Sequence, residues 1–178
     1  SGGLYHQYLN GSVTLNIATA IVQTGVQFSG SLFTLTSGVD TFSAVLANDI
    51  FRGLSANFQS TDALTGVGGN NTIQLTDNAT NLGDATFGAV KAAIPNLVLA
   101  STAAGTQSVT VGTTSESVAA GLVKVDASAA VAGNAVTVDA TLRTTAITIL
   151  GGAGNDTLTG GAGADTITGG NGDNVITG

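Results

Sequence analysis

The sequence contains no cysteine, methionine or tryptophan, and it has one proline, one histidine and few charged residues. Without cysteine, the chain has no disulfide, no thiol nucleophile and no thiolate metal site. Charged residues make up 8% of the 178 residues and hydrophobic residues 43%, whereas about a quarter of a typical globular domain is charged. Disordered chains combine high charge with low hydrophobicity, so we expect one folded domain or one repeat stack.

Basic residues are scarce and isolated. The four are Arg52, Lys91, Lys124 and Arg143, and they are too dispersed to form a patch that binds phosphates. We therefore expect no binding to nucleic acid or to an anionic membrane surface. No apolar run approaches the roughly 18 residues of a membrane helix, and no signal peptide opens the chain. We expect no membrane insertion, and export with the signal removed or by another route.

Motifs of hydrolytic enzymes are also missing. The sequence has no GxSxG and no HExxH, which mark serine hydrolases and zinc proteases. A catalytic base must be oriented by a third group and face a nucleophile, and His6 lies in no such constellation. We expect His6 to be a surface residue and the protein not to be an enzyme.

What the chain does have is glycine, aspartate and alternating apolar residues. There are 26 glycines, the net charge is −7, and Glu116 is the only acidic residue that is not aspartate. Aspartate favours turns and binds hard cations. Apolar and small polar residues alternate at 13–17, 108–111, 122–127, 135–140 and 146–150, as in half-buried strands. We expect many short strands joined by tight turns.

A nine-residue repeat closes the sequence. From Gly151 the chain reads GGAGNDTLT, GGAGADTIT and GGNGDNVIT, followed by Gly178. The first two units match G-G-x-G-x-D-x-U-x at every fixed position, where U is a large apolar residue. Asp156 and Asp165 occupy the sixth position. The apolar positions predict a buried ladder of Leu158, Ile167 and Ile176.

Partial matches to the repeat lie nearer the N-terminus. In GVDTFSAVLANDIF, Asp40 and Asp49 are nine residues apart, and Phe42 and Phe51 follow them by two residues; we expect both phenylalanines in the core. In GVGGNNTIQL, Asn71 stands where the aspartate would be.

Other segments give less regular signals. Val125-Asp126-Ala127 recurs as Val138-Asp139-Ala140, which we interpret as strands stacking at irregular coil lengths. DATFGAVKAA, residues 84–93, predicts a short helix ended at Pro95. Residues 4–25 fit a helix or a strand equally well.

The spacing of the repeat suits calcium chemistry. Ca²⁺ takes six to eight oxygen ligands at about 2.3–2.6 Å, and a turn that offers several carbonyls needs backbone angles that glycine tolerates best. The aspartate adds a carboxylate, and x-U-x forms a short strand with U pointing inward. Each unit is then half a coil of a parallel roll, so every second unit stacks on the same side.

Residues 151–178 resemble the RTX nonapeptide repeats of type I-secreted proteins. The rest of the chain, with LTSGVDTFSAVLANDIF, ALTGVGGNNTIQL and the Val/Thr/Ala-rich stretch after them, resembles RTX-type S-layer and surface proteins of Gram-negative bacteria. The resemblance implies a parallel β-solenoid with calcium between adjacent turns, held by aspartate carboxylates and backbone carbonyls. The implied ligands are Gly152, Gly154 and Asp156 with Gly170, Gly172 and Asp173 or Asn174 on one side, and Gly161, Gly163 and Asp165 on the other. Asp40 and Asp49 are further candidate ligands or, alternatively, turn caps.

The repeat departs from the family pattern in ways that affect its sites. Asn174 replaces the aspartate of the third unit, with Asp173 one residue earlier, and an amide weakens a calcium site unless Asp173 substitutes. Three units make one same-side pair. Asp165 needs a partner turn from LRTTAITIL or from beyond Gly178, and completion by a neighbouring copy would produce head-to-tail stacking.

The sequence therefore predicts an all-β protein, a parallel β-solenoid (β-roll). We expect an irregular segment over 1–30, a degenerate β-solenoid over 31–150 and calcium-binding RTX repeats over 151–178. The predicted function is that of a secreted structural subunit of a calcium-stabilised surface layer or extracellular filament. The alternative is a calcium-binding folding or secretion module of a larger RTX adhesin, toxin or hydrolase. Expected partners are copies of itself, head-to-tail or lateral, and cell-surface polysaccharide.

Overall fold

The structure, a computed structural model, describes residues 30–88, 91–117 and 121–178. These residues form fourteen short strands, with two single 3₁₀ turns at Ser55–Asn57 and Asp84–Phe87. The strands are β1 (Leu32–Thr34), β2 (Thr41–Ser43), β3 (Ile50–Gly53), β4 (Ala63–Thr65), β5 (Thr72–Leu75), β6 (Lys91–Ala92), β7 (Asn96–Leu99), β8 (Gly105–Thr110), β9 (Lys124–Asp126), β10 (Asn134–Asp139), β11 (Thr148–Leu150), β12 (Thr157–Thr159), β13 (Thr166–Thr168) and β14 (Val175–Thr177).

Consecutive strands alternate between two faces of one stack of coils. The odd-numbered strands form a seven-stranded sheet in chain order. On the opposite face, β2, β4 and β6 form one sheet, and β8, β10, β12 and β14 form another. Every strand pair is parallel, because each full coil returns the chain beside its previous strand. The predicted parallel β-solenoid is confirmed.

The coils differ in length, as the sequence indicated. Stacked residues are 18 apart in the first coil, Leu32 to Ile50, and again in the last, Thr148 to Thr166. Between them the interval grows to 28 residues on the seven-stranded sheet, from Asn96 to Lys124, and to 29 on the opposite face, from Gly105 to Asn134. Eighteen residues are two nonapeptide units, so the repeat has the shortest coil length and the longer coils carry insertions in their turns.

Inward-facing residues of the strands stack in register along the solenoid and form much of its core. On the seven-stranded sheet these residues are Phe33, Phe51, Ile73, Leu97, Val125, Ile149 and Ile167. Phe33 stacks on Phe42 and on Phe51, with ring centroids 5.1 Å apart in each pair, and Phe51 is fully buried. Burial of one such side chain stabilises the fold by about 1.5–3 kcal/mol.

The predicted ladder of apolar residues is divided between the two faces. Leu158 is fully buried, Ile167 is partly buried on the opposite sheet, and Ile176 is 49% exposed. The expectation of a core position is therefore confirmed for Leu158 and wrong for Ile176. Ile176 lies on β14, the last strand of its sheet, so no further described coil covers it.

The predicted helix over 84–93 is wrong. Among the described residues of this segment, only Asp84–Phe87 is helical, as a 3₁₀ turn, and it ends at Gly88, whose backbone is not helical. Lys91–Ala92 is a strand paired with β4, and its lysine reaches the backbone carbonyls of Gln59 and Asp62. Pairing with an existing sheet edge outweighs the local helix propensity of this alanine-rich segment.

The two Val-Asp-Ala triplets do not stack on each other. Val125 belongs to β9 and Val138 to β10, on opposite faces. Each aspartate instead caps the same kind of corner: Asp126 accepts hydrogen bonds from Ser128, and Asp139 from Thr141. The triplet thus marks a strand end followed by an Asx turn, at two successive corners of the solenoid.

Some predictions lie outside the described residues. These concern His6, the strand at 13–17, the ambiguous stretch 4–25 and nearly all of the segment 1–30. Among the helices of the described residues, none is long and apolar enough to span a membrane.

Candidate calcium centre

An aspartate or asparagine directly precedes seven of the strands and occupies the same place in each coil. In every case the residue two positions later is the inward-facing middle of a strand. The residues are Asp40, Asp49, Asp62, Asn71, Asp156, Asp165 and Asn174. The D-x-U-x part of the nonapeptide therefore recurs as a structural unit well outside residues 151–178.

In the repeat, this aspartate joins two coils. Asp156 Oδ1 accepts a 2.8 Å bond from the backbone N–H of Val136 in the preceding coil, and Oδ2 accepts one of 2.8 Å from Gly152 in its own turn. Asp165 does the same with Ile147 at 3.0 Å and Gly161 at 2.7 Å. One carboxylate oxygen thus fixes the register between coils, and the other closes the glycine turn.

The turns of the first and third units stack on one side of the solenoid, which we call the Asp156 side. Gly170 lies against Gly152 and Gly172 against Gly154, so closely that a Cβ on either later glycine would collide with the carbonyl oxygen below it. Gly170 and Gly172 also have φ of +80° and +92°, which favours glycine. Only glycine at these two positions allows the carbonyl oxygens of Gly152 and Gly154 to lie against the next turn.

The turn of the second unit lies on the opposite side, which we call the Asp165 side. Gly161 stacks on the carbonyl oxygen of Arg143, and Gly163 on the backbone of Thr145 and Ala146. The partner turn of Asp165 is therefore LRTTAITIL, as one of the two alternatives proposed. That turn carries arginine and threonine side chains where a repeat unit has glycine.

The third unit closes its turn with an amide. Asn174 Oδ1 accepts the N–H of Asp156 at 2.9 Å, and Nδ2 donates to the carbonyls of Gly170 and Asn171 at 3.3 and 3.2 Å. Asp173 is exposed, and its backbone N–H donates to Asn155 Oδ1 at 2.9 Å. It is Asn174, and not Asp173, that takes the position between the coils.

Asp156 is a buried carboxylate without a basic partner among the described residues. Its side chain is 1% exposed, and within the described residues the ion pair is Lys124–Asp126, at 2.9 Å. Asp156 therefore carries a carboxylate into the interior with hydrogen bonds from two backbone amides and no basic partner. A buried charge of this kind is stabilised by a counter-charge or a bound cation.

The donor atoms of the Asp156 side fit a hard cation such as Ca²⁺. They are a carboxylate and the carbonyl oxygens of stacked glycines, the oxygen ligands that calcium takes. A cage of side-chain carboxylates is not present: no group of three or more His, Cys, Asp or Glu residues in the described ranges is arranged to hold a metal. Any ion here would depend mainly on backbone oxygens.

The two early candidates differ from each other. Asp40 accepts the N–H and the hydroxyl of Thr36 at 2.7 and 2.9 Å, as a turn cap does. Asp49 accepts the N–H of Ser31 at 2.6 Å, but its Oδ2 is buried and has no hydrogen-bond partner among the described residues. No glycine repeat surrounds either aspartate.

Sequence reasoning missed Asp62. It precedes β4, and its carboxylate accepts the N–H of Asp40 at 3.0 Å and of Gln59 at 2.7 Å. The signal was present in Asp62-Ala63-Leu64-Thr65, which repeats the D-x-U-x spacing 22 residues after Asp40.

Comparison with known proteins agrees with this geometry for the last coils. The family of the RTX calcium-binding nonapeptide repeat, in four copies, matches residues 148–178. Neither the curated proteins nor the solved structures include a match to the chain. The matched range contains β11 to β14, the glycine stack and all three repeat units. Residues 148–178 are therefore RTX-type calcium-binding repeats, built into one β-solenoid with the coils that precede them.

Proposed function

We propose that this protein is a secreted structural solenoid, part of a surface layer or extracellular filament, whose last coils are held together by calcium. The observation that carries the proposal is the fully buried Asp156 carboxylate, which has no basic partner among the described residues and lies beside stacked glycine carbonyls. RTX repeats are typical of secreted proteins, and calcium is far more abundant outside cells than in the cytosol.

The residues of the Asp156 side act together in this role. Calcium, when bound, supplies the positive charge that the carboxylate lacks. Asp156 holds the register of β12 through Val136, and the glycines allow the turns to approach. Leu158, two residues later, is fully buried. Closing the turn therefore positions an apolar side chain in the core and couples ion binding to folding.

A structural role also agrees with how the acidic residues are used. Asp84, Asp126, Asp139 and Glu116 each accept hydrogen bonds from nearby turns, so their carboxylates serve the fold. We propose that the protein is not an enzyme, and that its partners are copies of itself or cell-surface polysaccharide.

The second candidate is a calcium-dependent folding or secretion module of a larger RTX protein. The observation in its favour is the match of residues 148–178 to RTX calcium-binding repeats, which implies calcium binding and does not itself imply assembly. In this case the chain would bind calcium without assembling.

A calcium titration against chelator separates these possibilities. Circular dichroism and light scattering are recorded on one sample, with Asp156→Asn as the control that removes the buried charge. If calcium raises the β-signal and the particle mass together, the structural proposal is supported. If the β-signal rises and the mass stays monomeric, the module is supported. If calcium binds with equal affinity to Asp156→Asn, Asp156 is not a ligand and the proposed site is wrong.

A further inference from the structure

A buried arginine lies on the Asp165 side of the solenoid. Arg143 is 1% exposed, and it belongs to the turn on which the second repeat unit stacks. Its Nη2 donates to the carbonyl of Leu122 at 2.8 Å and to Thr145 Oγ1 at 3.1 Å, and its Nη1 donates to Ser115 Oγ at 3.3 Å. The guanidinium thus lies between its own turn and the turn of the preceding coil, 21 to 28 residues earlier.

Three carboxylates from different coils favour the charged form of this guanidinium. Burial lowers the pKa of Arg143, and the negative charges of Glu116, Asp165 and Asp84 raise it. Arginine remains protonated in proteins at physiological pH. The interior of this side therefore contains one permanent positive charge, supplied by the chain itself.

The acidic neighbours are fixed by backbone hydrogen bonds. Glu116 accepts the N–H groups of Thr144 and Thr145 at 2.9 and 3.0 Å, together with both threonine hydroxyls. Asp84 accepts the N–H groups of Gly112, Thr114 and Ser115 at 2.7–2.9 Å. Arg143 is therefore part of a prearranged cluster, with Glu116 binding the same turn from outside.

A lysine has a similar position nearer the N-terminus. Lys91 is 1% exposed, and its Nζ donates to the carbonyl of Asp62 at 2.9 Å and to that of Gln59. Asp62 is one of the seven aspartate or asparagine residues that precede a strand. An ammonium group bound by turn carbonyls beside a carboxylate has the surroundings that a metal ion would have. Asp156, by contrast, has no such cation near it in the described structure.

We propose that Arg143 is a built-in cation that replaces a metal ion on the Asp165 side, as Lys91 does at the Asp62 turn, so that within the repeat units of residues 151–178 calcium binds only the Asp156 side. A fixed positive charge repels a divalent ion nearby, and the arginine already uses an oxygen of the adjacent turn. The coils from β3 to β11 then fold without calcium. Their last strand on each face is the sheet edge on which β12 to β14 become ordered when calcium binds. This inference rests on the proposed calcium binding.

Matched substitutions test whether calcium binds on the Asp156 side and not on the Asp165 side. Asp156→Asn and Asp165→Asn each remove one carboxylate and retain the shape, and Asn71 and Asn174 demonstrate that asparagine fits this position. We expect Asp156→Asn to weaken calcium binding by about tenfold or more, and Asp165→Asn to change it by less than about twofold, because affinity follows ligand charge. Equal losses in the two variants would overturn the inference. A wild-type chain that binds no calcium would instead refute the proposed function.

A second experiment concerns Arg143 directly. In Arg143→Gln we expect an additional calcium-binding event, detected by titration calorimetry, that is absent from Arg143→Gln/Asp165→Asn. No additional event in a folded Arg143→Gln would contradict the role of the arginine. Because this variant risks misfolding, hydrogen exchange of the wild-type chain provides an independent check. Without calcium, we expect amide protection to persist in β3–β11 and to fall by about tenfold or more in β12–β14; a loss throughout β3–β14 would overturn the inference.

Discussion

The side-chain oxygen of Asn174 accepts a 2.9 Å hydrogen bond from the backbone N–H of Asp156, and Asn71 binds Asp49 in the same way at 2.9 Å. In both asparagines, Nδ2 donates to two backbone carbonyls, with at least one in its own turn. The amide thus links two coils and also supplies donors to carbonyl oxygens. An aspartate at this position keeps the link between coils but leaves those carbonyls free for a cation.

This difference predicts opposite effects of Asn174→Asp with and without calcium. In chelator, the new carboxylate loses the Nδ2 donors and faces carbonyl oxygens, so the last coil should be less stable. In saturating calcium, the added negative ligand should raise calcium affinity by about tenfold. Competition with a fluorescent chelator measures the affinity. Asn70→Asp, in an exposed turn of another coil, adds the same charge as a control, and equal affinity in the two variants would contradict the prediction.

Stacked glycines should be far less replaceable than glycines in open turns. Gly170 and Gly68 both have positive φ, +80° and +60°. A methyl group on Gly170 would collide with the carbonyl of Gly152, whereas nothing lies within 4 Å of the corresponding position on Gly68. Gly68→Ala should cost about 1 kcal/mol for its backbone angle. Gly170→Ala should additionally separate the two turns, and urea unfolding with hydrogen exchange at β14 would detect the difference.

The sequence predicted the strands of the repeat well because their pattern is local. D-x-U-x with flanking glycines determines a turn and a strand within nine residues, and the structure contains that unit at each predicted position. The buried charges were unpredictable for the opposite reason. Arg143 contacts Ser115, 28 residues earlier, and no pattern within one coil indicates that pairing. Ile176 was misjudged because burial on a solenoid depends on the neighbouring coil, whatever the strand itself contains.

The cost of truncating an inward-facing side chain should depend on whether a neighbouring coil covers it. Leu158 is fully buried between β10 and β14, whereas Ile176, its partner on β14, is 49% exposed. Leu158→Ala should lower the free energy of unfolding by about 2–4 kcal/mol, since it removes apolar contact and leaves a cavity. Ile176→Ala should lower it by less than about 1 kcal/mol. Chemical denaturation in saturating calcium measures both, and equal losses would mean that Ile176 is covered in solution.

Glu116 should make the solenoid sensitive to acid. Burial alone would raise the pKa of Glu116, but hydrogen bonds from Thr145 and Thr144 lower it to about 2, from an ordinary value of 4.5. Because the folded pKa lies below the unfolded one, the ionised carboxylate stabilises the fold above pH 4.5, and this contribution disappears as the pH falls through 2. Glu116→Gln should therefore be less stable than the wild-type chain near neutral pH, and the gap should close in acid. Urea midpoints of both chains, measured in chelator across the acid range, test this. A difference in stability that does not change with pH would show that the charge of Glu116 does not support the turn of Thr144 and Thr145.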